Sequence, residues 1–184
     1  MGRRVLATVL AALMLATGAG VAVASSEPTL VSHGPTDVRG TEATAVFRVG
    51  GRLVRQVRYA DQETLVYSFD LANEGRVPVT VTGLVPTAVE PRLFRYLAAT
   101  DEDGAAEFTL GAGERTTVEV SMRMHACETL SARAGSFATE VALHTRRAGV
   151  LDAVVTVRFP EEVHTGSPRE AFCPNATATS RPPG

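Results

Sequence analysis

Apolar and polar residues alternate one by one along much of residues 43–160, and this two-residue period constrains the fold more than any other feature. Successive side chains of a strand point to opposite faces of a sheet, so this alternation is typical of strands with one buried face. The clearest runs are Thr64–Asn73, Thr116–Met124 and Leu151–Phe159. Glycine-rich turns separate the runs. We find no helical period of useful length in this part of the sequence.

The pattern predicts an all-β fold: a single antiparallel β-sandwich of seven to eight strands over residues 43–160. The expected strands are Ala43–Val49, Leu53–Tyr59, Thr64–Asn73, Val77–Leu84, Glu107–Leu110, Thr116–Met124, Phe137–Leu143 and Leu151–Phe159. Half-buried alternation excludes a parallel α/β sheet, whose strands are apolar on both faces. Residues 25–42 mix Pro, Gly, Ser and Thr without a period and are interpreted as a linker or N-terminal arm.

Two segments resemble exported bacterial immunoglobulin-like domains. The residues that carry the resemblance are Phe69, Asn73, Gly75 and Pro78 in the first segment, and Phe108, Leu110, Gly113, Glu114, Val118 and Val120 in the second. The resemblance implies an immunoglobulin-like sandwich and is silent on activity, because that fold hosts many unrelated roles. The chain departs from antibody-type domains because it has no Trp for the core.

The N-terminus predicts export. Arg3 and Arg4 precede the apolar run Val5–Ala16, and Ala22 and Ala24 complete an A-x-A cleavage pattern. Residues 1–24 are therefore a predicted signal peptide, and cleavage would leave Ser25 as the new N-terminus. The alternative is an uncleaved membrane anchor, since the 20 residues from Val5 to Ala24 are long enough to span a bilayer. Either reading makes the protein secreted or extracytoplasmic, with no membrane span after the signal.

The two cysteines, Cys127 and Cys173, predict one structural disulfide, because an exported chain with an even cysteine count meets an oxidising environment. A redox-active CxxC pair would need a much shorter spacing than the 46 positions that separate them. The bridge would tether the C-terminal extension, residues 161–184, whose end we expect to be disordered.

Charge and motif content bear on partners and activity. The net charge of −2 offers no basic field for nucleic acid. All 18 cationic side chains are Arg, which excludes lysine-dependent mechanisms such as a Schiff base or a P-loop. Hydrolase, metalloprotease and dinucleotide motifs are absent after residue 24, and the four histidines are scattered: His33, His125, His144 and His164.

We therefore expect no enzyme and no cofactor, but a monomeric binding or structural module for a protein or cell-envelope partner. Such a module could bind by strand addition at an exposed sheet edge. Pro78 marks one candidate edge, because its missing N–H places it at a strand start or at the edge of a sheet. A secreted enzyme is the least favoured alternative.

Metal binding is the other alternative. Met122, Met124, His125 and Cys127 carry ligand types that suit copper, but alternation places the two methionines on one face and the other two residues on the opposite face. The two methionines are also explained as core residues, because methionine fills gaps in a core that has few aromatic side chains. Asp101-Glu102-Asp103-Gly104 with Glu107 partly resembles a calcium loop, yet the EF-hand spacing is not met and an Asp-Gly turn accounts for it.

Overall fold

Ten β-strands make up the regular structure of the described chain, and no helix occurs there. The computed structural model describes residues 28–41, 43–59, 62–86, 94–124 and 136–165. The strands are β1 (Leu30–Arg39), β2 (Ala43–Val49), β3 (Arg52–Arg58), β4 (Thr64–Asn73), β5 (Val79–Leu84), β6 (Phe94–Asp101), β7 (Phe108–Leu110), β8 (Arg115–Met124), β9 (Phe137–Arg147) and β10 (Leu151–His164).

The strands form two sheets that share one core. The first sheet has the order β1-β4-β8-β6, and the second has the order β2-β3-β10-β9-β5-β7. The ring of Phe159, from the second sheet, packs between Tyr67 and Phe69 of the first, with centroid distances of 4.9 and 5.5 Å. The inward sets of β4 and β8 are fully buried: Leu65, Tyr67, Phe69, Leu71, Val118, Val120, Met122 and Met124. This confirms that the alternation in the sequence comes from strands with one buried face.

The all-β architecture is confirmed, but the strand count is higher than predicted. Strand β1 lies in the segment interpreted as a linker or arm, and β6 lies in a stretch where the sequence shows no clear period. Both strands contain a register shift, at His33/Thr36 in β1 and at Tyr96/Ala98 in β6. In β6 one extra residue reverses the alternation, and in β1 two extra residues, Gly34 and Pro35, interrupt it, so neither strand shows a constant period.

The pairing also departs from a purely antiparallel sandwich. Strand β10 continues past Pro160 and pairs in parallel with β3 at Glu162–His164. Its pairing with β9 shifts register between Arg158 and Val163, so Pro160 falls where the ladder is interrupted and a missing N–H costs nothing. The sandwich therefore extends beyond residue 160, the boundary expected from the sequence.

The period of the strand Phe137–Leu143 predicts that Phe137 shares the inward face of Val141 and Leu143, but its side chain is exposed. It packs against His164, in the segment expected to be a C-terminal extension, with ring centroids 4.5 Å apart. The neighbouring Ala138 takes the inward position instead. The reversal falls where the pairing of β9 with β10 shifts register, between Arg158 and Val163.

Asn73 joins the two segments that carry the immunoglobulin-like resemblance. Its buried amide nitrogen donates to the carbonyl oxygens of Val77, Leu110 and Gly111, at 2.9, 3.1 and 3.1 Å. Its amide oxygen accepts from the Gly75 N–H at 3.0 Å. One side chain thus ties the turn before β5 to the turn between β7 and β8.

Candidate functional site

The β2–β3 hairpin is closed by a two-residue turn, Gly50-Gly51. Both glycines have positive φ angles, 55° and 86°, which the primed turns of tight hairpins require. Pairing runs without a shift from Val49 opposite Arg52 to Ala43 opposite Arg58. The sequence therefore builds a regular hairpin whose outer strand, β2, is straight enough to pair with a further strand.

Strand β3 is anchored to both sheets. Arg55 and Glu161 form an ion pair between β3 and β10, with side chains that are 13% and 4% exposed. Arg55 also donates to the Thr36 hydroxyl of β1, at 3.1 Å, in the opposite sheet. A second pair joins Arg52 to Glu162 at 2.8 Å. The anchoring of β3 fixes the position of β2, which is hydrogen-bonded to it.

Two tyrosines that pack at the core, the buried Tyr67 and the partly buried Tyr96, remain protonated. Burial, and secondly the negative charge of Glu161, raise the pKa of Tyr67 above its ordinary value. Burial, and secondly the charge of Glu140, likewise raise the pKa of Tyr96. Tyr96 also donates a hydrogen bond of 2.7 Å to the Glu140 carbonyl oxygen. Both phenols thus act as neutral structural groups across the physiological pH range.

Strand β2 is exposed along its whole length. All seven residues are solvent-exposed, and Val46, Phe47 and Val49 are 47%, 40% and 47% exposed. The adjoining Leu53 of β3 is also exposed. Apolar side chains grouped at one sheet edge are typical of an interaction surface rather than of scattered surface residues. We call residues 43–49, with their outward backbone groups, the β2 edge.

The other sheet edges carry features that hinder pairing with a further strand. Strand β7 has three residues. Strands β1 and β6 are broken by register shifts, and β1 also contains Pro35. Short edges, bulges and prolines are the devices by which proteins prevent unwanted strand addition. The β2 edge has no Pro, no register shift and one charged residue, Arg48, and no strand of the described chain pairs with its outer side.

Pro78 does not mark an exposed edge. It immediately precedes β5, which pairs with β7 on one side and β9 on the other. The prediction that it stands at a strand start is confirmed, but the candidate edge is wrong because β7 covers that side. The sequence predicts β2 with its observed bounds, yet nothing in its alternation distinguishes an outermost strand from a central one.

Each end of the β2 edge adjoins an open cleft. The first, of about 210 Å³, is lined by the small residues at the start of β2 and by β3: Ala43, Thr44, Ala45, Gln56, Val57 and Arg58. The second, of about 290 Å³, lies at the turn end, where Arg48, Gly51 and Arg52 face the Phe159–Glu162 segment of β10. Both clefts thus include residues of β2 and extend over its neighbour β3.

The methionines proposed as copper ligands are core residues. Met122 and Met124 are fully buried among the apolar side chains of both sheets. His125 lies outside the described residues, as do Cys127 and Cys173 and the predicted cleavage residues Ala22, Ala24 and Ser25. Among the described residues, no three His, Cys, Asp or Glu side chains are placed to share a metal ion.

The Asp101–Glu107 segment folds as a turn that connects β6 of the first sheet to β7 of the second, so it is not the turn of a hairpin. The Asp101 carboxylate accepts from the N–H groups of Asp103 and Ala105, at 3.1 and 2.8 Å. Gly104 has a φ of 82° and donates to the Asp101 carbonyl oxygen. The side chain considered for calcium thus stabilises the turn itself, as an Asx turn does.

Of the other histidines, His144 is exposed on β9, as its place in the alternation predicts. His33 of β1 lies 3.4 Å from the Glu74 carboxylate, and His164 ends β10. The structure therefore keeps these three apart, on different strands, and brings none of them to the β2 edge.

Comparisons with known proteins add little. No family model matches the chain, and no curated protein is significantly similar to it. Among solved structures it is similar to the cupredoxin domain of amoB from Nitrosocaldus yellowstonii, with a TM-score of 0.28 and 11% identity over 66% of this chain. The chain spans 65% of that structure, and a likeness of this size carries no argument about function. Within the described residues, we also find no helix long and apolar enough to cross a membrane.

Proposed function

We propose that the protein is an exported, non-enzymatic binding module of immunoglobulin-like fold, and that its β2 edge binds an extended protein segment by strand addition. The observation that carries the proposal is the contrast between edges: β2 is regular, fully exposed and apolar, while β1, β6 and β7 are interrupted or short. Main-chain hydrogen bonds to the outer side of β2 would supply affinity, and the clefts at its ends would supply specificity.

The energetic requirement on this edge is modest. Pairing lowers the free energy of an exposed edge strand in two ways. Its outward N–H and C=O groups bond to a partner strand in place of water, and its apolar side chains are removed from water. Strand β3 does not have to move, since the Arg55–Glu161 pair holds it to β10 and the Thr36 contact holds it to β1. The edge is thus preorganised, and binding orders only the partner.

The test is selection of linear nine-residue peptides from a display library on the protein lacking residues 1–24. Phe47→Lys places a charge on the edge, and we expect it to lower the recovery of selected peptides at least about tenfold, since edge lysines oppose strand pairing. Val154→Lys is the matched control, because Val154 is 57% exposed but lies on β10, between two other strands. Peptides that bind Phe47→Lys as well as the unchanged protein would contradict the proposal.

Native mass spectrometry of the exported protein tests the rest of the proposal. We expect the mass of Ser25–Gly184 less two hydrogens, with no metal bound. An added copper mass would favour the metal-handling alternative instead, and retention of residues 1–24 would favour the membrane anchor.

A further inference from the structure

The β2–β3 hairpin is the basic part of an acidic protein. Its residues 43–59 contain four Arg and no Asp or Glu, whereas the rest of the chain has 14 Arg and 20 acidic residues. The four cations are Arg48, Arg52, Arg55 and Arg58. The positive charge of the hairpin sequence is thus segregated from the acidic residues, which the net charge of −2 conceals.

The four arginines are not equivalent. Arg52 and Arg55 pair with Glu162 and Glu161 of β10. Arg48, on β2 itself, donates to the Gly51 carbonyl oxygen at 3.3 Å, and within the described residues it meets no carboxylate. It also lines the cleft at the turn end of the edge. Arg48 is therefore a cation on the edge strand itself, in contrast to the paired Arg52 and Arg55 of β3.

We propose, resting on the proposed function, that the occupant of the β2 edge is an extended acidic segment of another protein. One of its carboxylates pairs with Arg48 in the cleft at the turn end, and a bulky apolar side chain of the segment fills the cleft beside Ala43 and Ala45. The row of backbone groups on β2 selects a peptide chain, because only a peptide can continue the ladder. The hairpin charge then selects peptides rich in Asp or Glu.

A second copy of this chain fits the edge less well. Antiparallel self-pairing would bring two hairpins together, each with four Arg and no acidic residue. Charge repulsion between the hairpins therefore favours an acidic partner over a dimer.

The experiment uses three labelled peptides, each with Val at every second position and with Glu, Gln or Lys between the valines. Binding to the protein lacking residues 1–24 is followed by fluorescence anisotropy. We expect the Glu peptide to bind at least about tenfold more tightly than the Gln peptide, and the Lys peptide to bind weakest. Arg48→Gln should weaken the Glu peptide about fivefold and leave the Gln peptide unchanged. Arg95→Gln, at an exposed position on β6, is the matched control and should change neither.

The other outcomes separate this inference from the proposed function. Equal binding of the Glu and Gln peptides, abolished by Phe47→Lys, would overturn the acidic preference and leave strand addition standing. If none of the three peptides binds, and sedimentation shows a dimer that Phe47→Lys converts to a monomer, the occupant of the β2 edge is a second copy of the chain and the acidic partner is overturned. Failure of all three peptides with a monomer would overturn the inference and contradict strand addition itself.

Discussion

At the scale of single residues, Asn73 shows how one side chain can hold two distant turns together. Its side chain is buried, makes four hydrogen bonds and connects two turns that are far apart in sequence. The residues Asn73, Gly75 and Pro78 indicate a turn from the sequence alone. The hydrogen bonds from Asn73 to Leu110 and Gly111 could not be predicted, because they join segments that are distant in the sequence.

Replacement of Asn73 by Asp is expected to destabilise the fold by about 3 kcal/mol, because a buried carboxylate would face three carbonyl oxygens in place of an amide donor. Urea unfolding followed by circular dichroism measures this loss. Asp70→Asn, on the same strand, is the control, since Asp70 is partly exposed and should change stability little. An unchanged midpoint for Asn73→Asp would show that the Asn73 contacts do not hold the turns together.

The pKa values of Tyr67 and Tyr96 predict a loss of stability in alkali. Both are raised in the folded protein, so folding keeps the phenols protonated. Their contribution is complete below the ordinary Tyr pKa of about 10, where both states are protonated, and it falls as pH rises further and the unfolded chain ionises. Absorbance at 295 nm should show these tyrosines ionising together with unfolding. Ionisation of all three tyrosines in the folded protein would contradict the prediction.

At the scale of elements, the Arg55–Glu161 pair makes β3 a fixed base for β2. We expect Glu161→Ala to cost about 3–5 kcal/mol, because it leaves the Arg55 charge buried without its partner. The double variant Arg55→Leu with Glu161→Leu should recover most of this loss, since it removes both charges. Thermal unfolding of Arg55→Leu, of Glu161→Leu and of the double variant measures the coupling. Additive effects would mean that the pair does not hold the hairpin in place.

Also at the element scale, the sequence predicted strands well wherever their pairing is regular. Strands β2 and β4 have the predicted bounds, and β8 differs by one residue at its start. Strands β1 and β6 escaped prediction because register shifts at His33/Thr36 and Tyr96/Ala98 interrupt their periods. The β2 edge could not be predicted either, because the order of strands in a sheet depends on pairing over long distances, which one sequence does not record.

At the scale of the whole molecule, the charge distribution and the sheet edges point to the same part of the protein. Acidic residues predominate outside residues 43–59, and the proposed acidic partner would meet the one hairpin that has no acidic residue. The export prediction agrees with a module that meets its partner outside the cytoplasm. Strand addition therefore requires that the outer side of β2 is unpaired in the free protein and paired in the complex.

Hydrogen exchange of the backbone amides of residues 43–49 tests this most directly, with and without the peptide that binds most tightly. Alternate residues of an edge strand point their N–H groups to solvent. We predict that about half of these amides exchange rapidly in the free protein and become protected on binding, while the other half are protected throughout by β3. Slow exchange of all seven in the free protein, or no change on peptide binding, would contradict strand addition at the β2 edge.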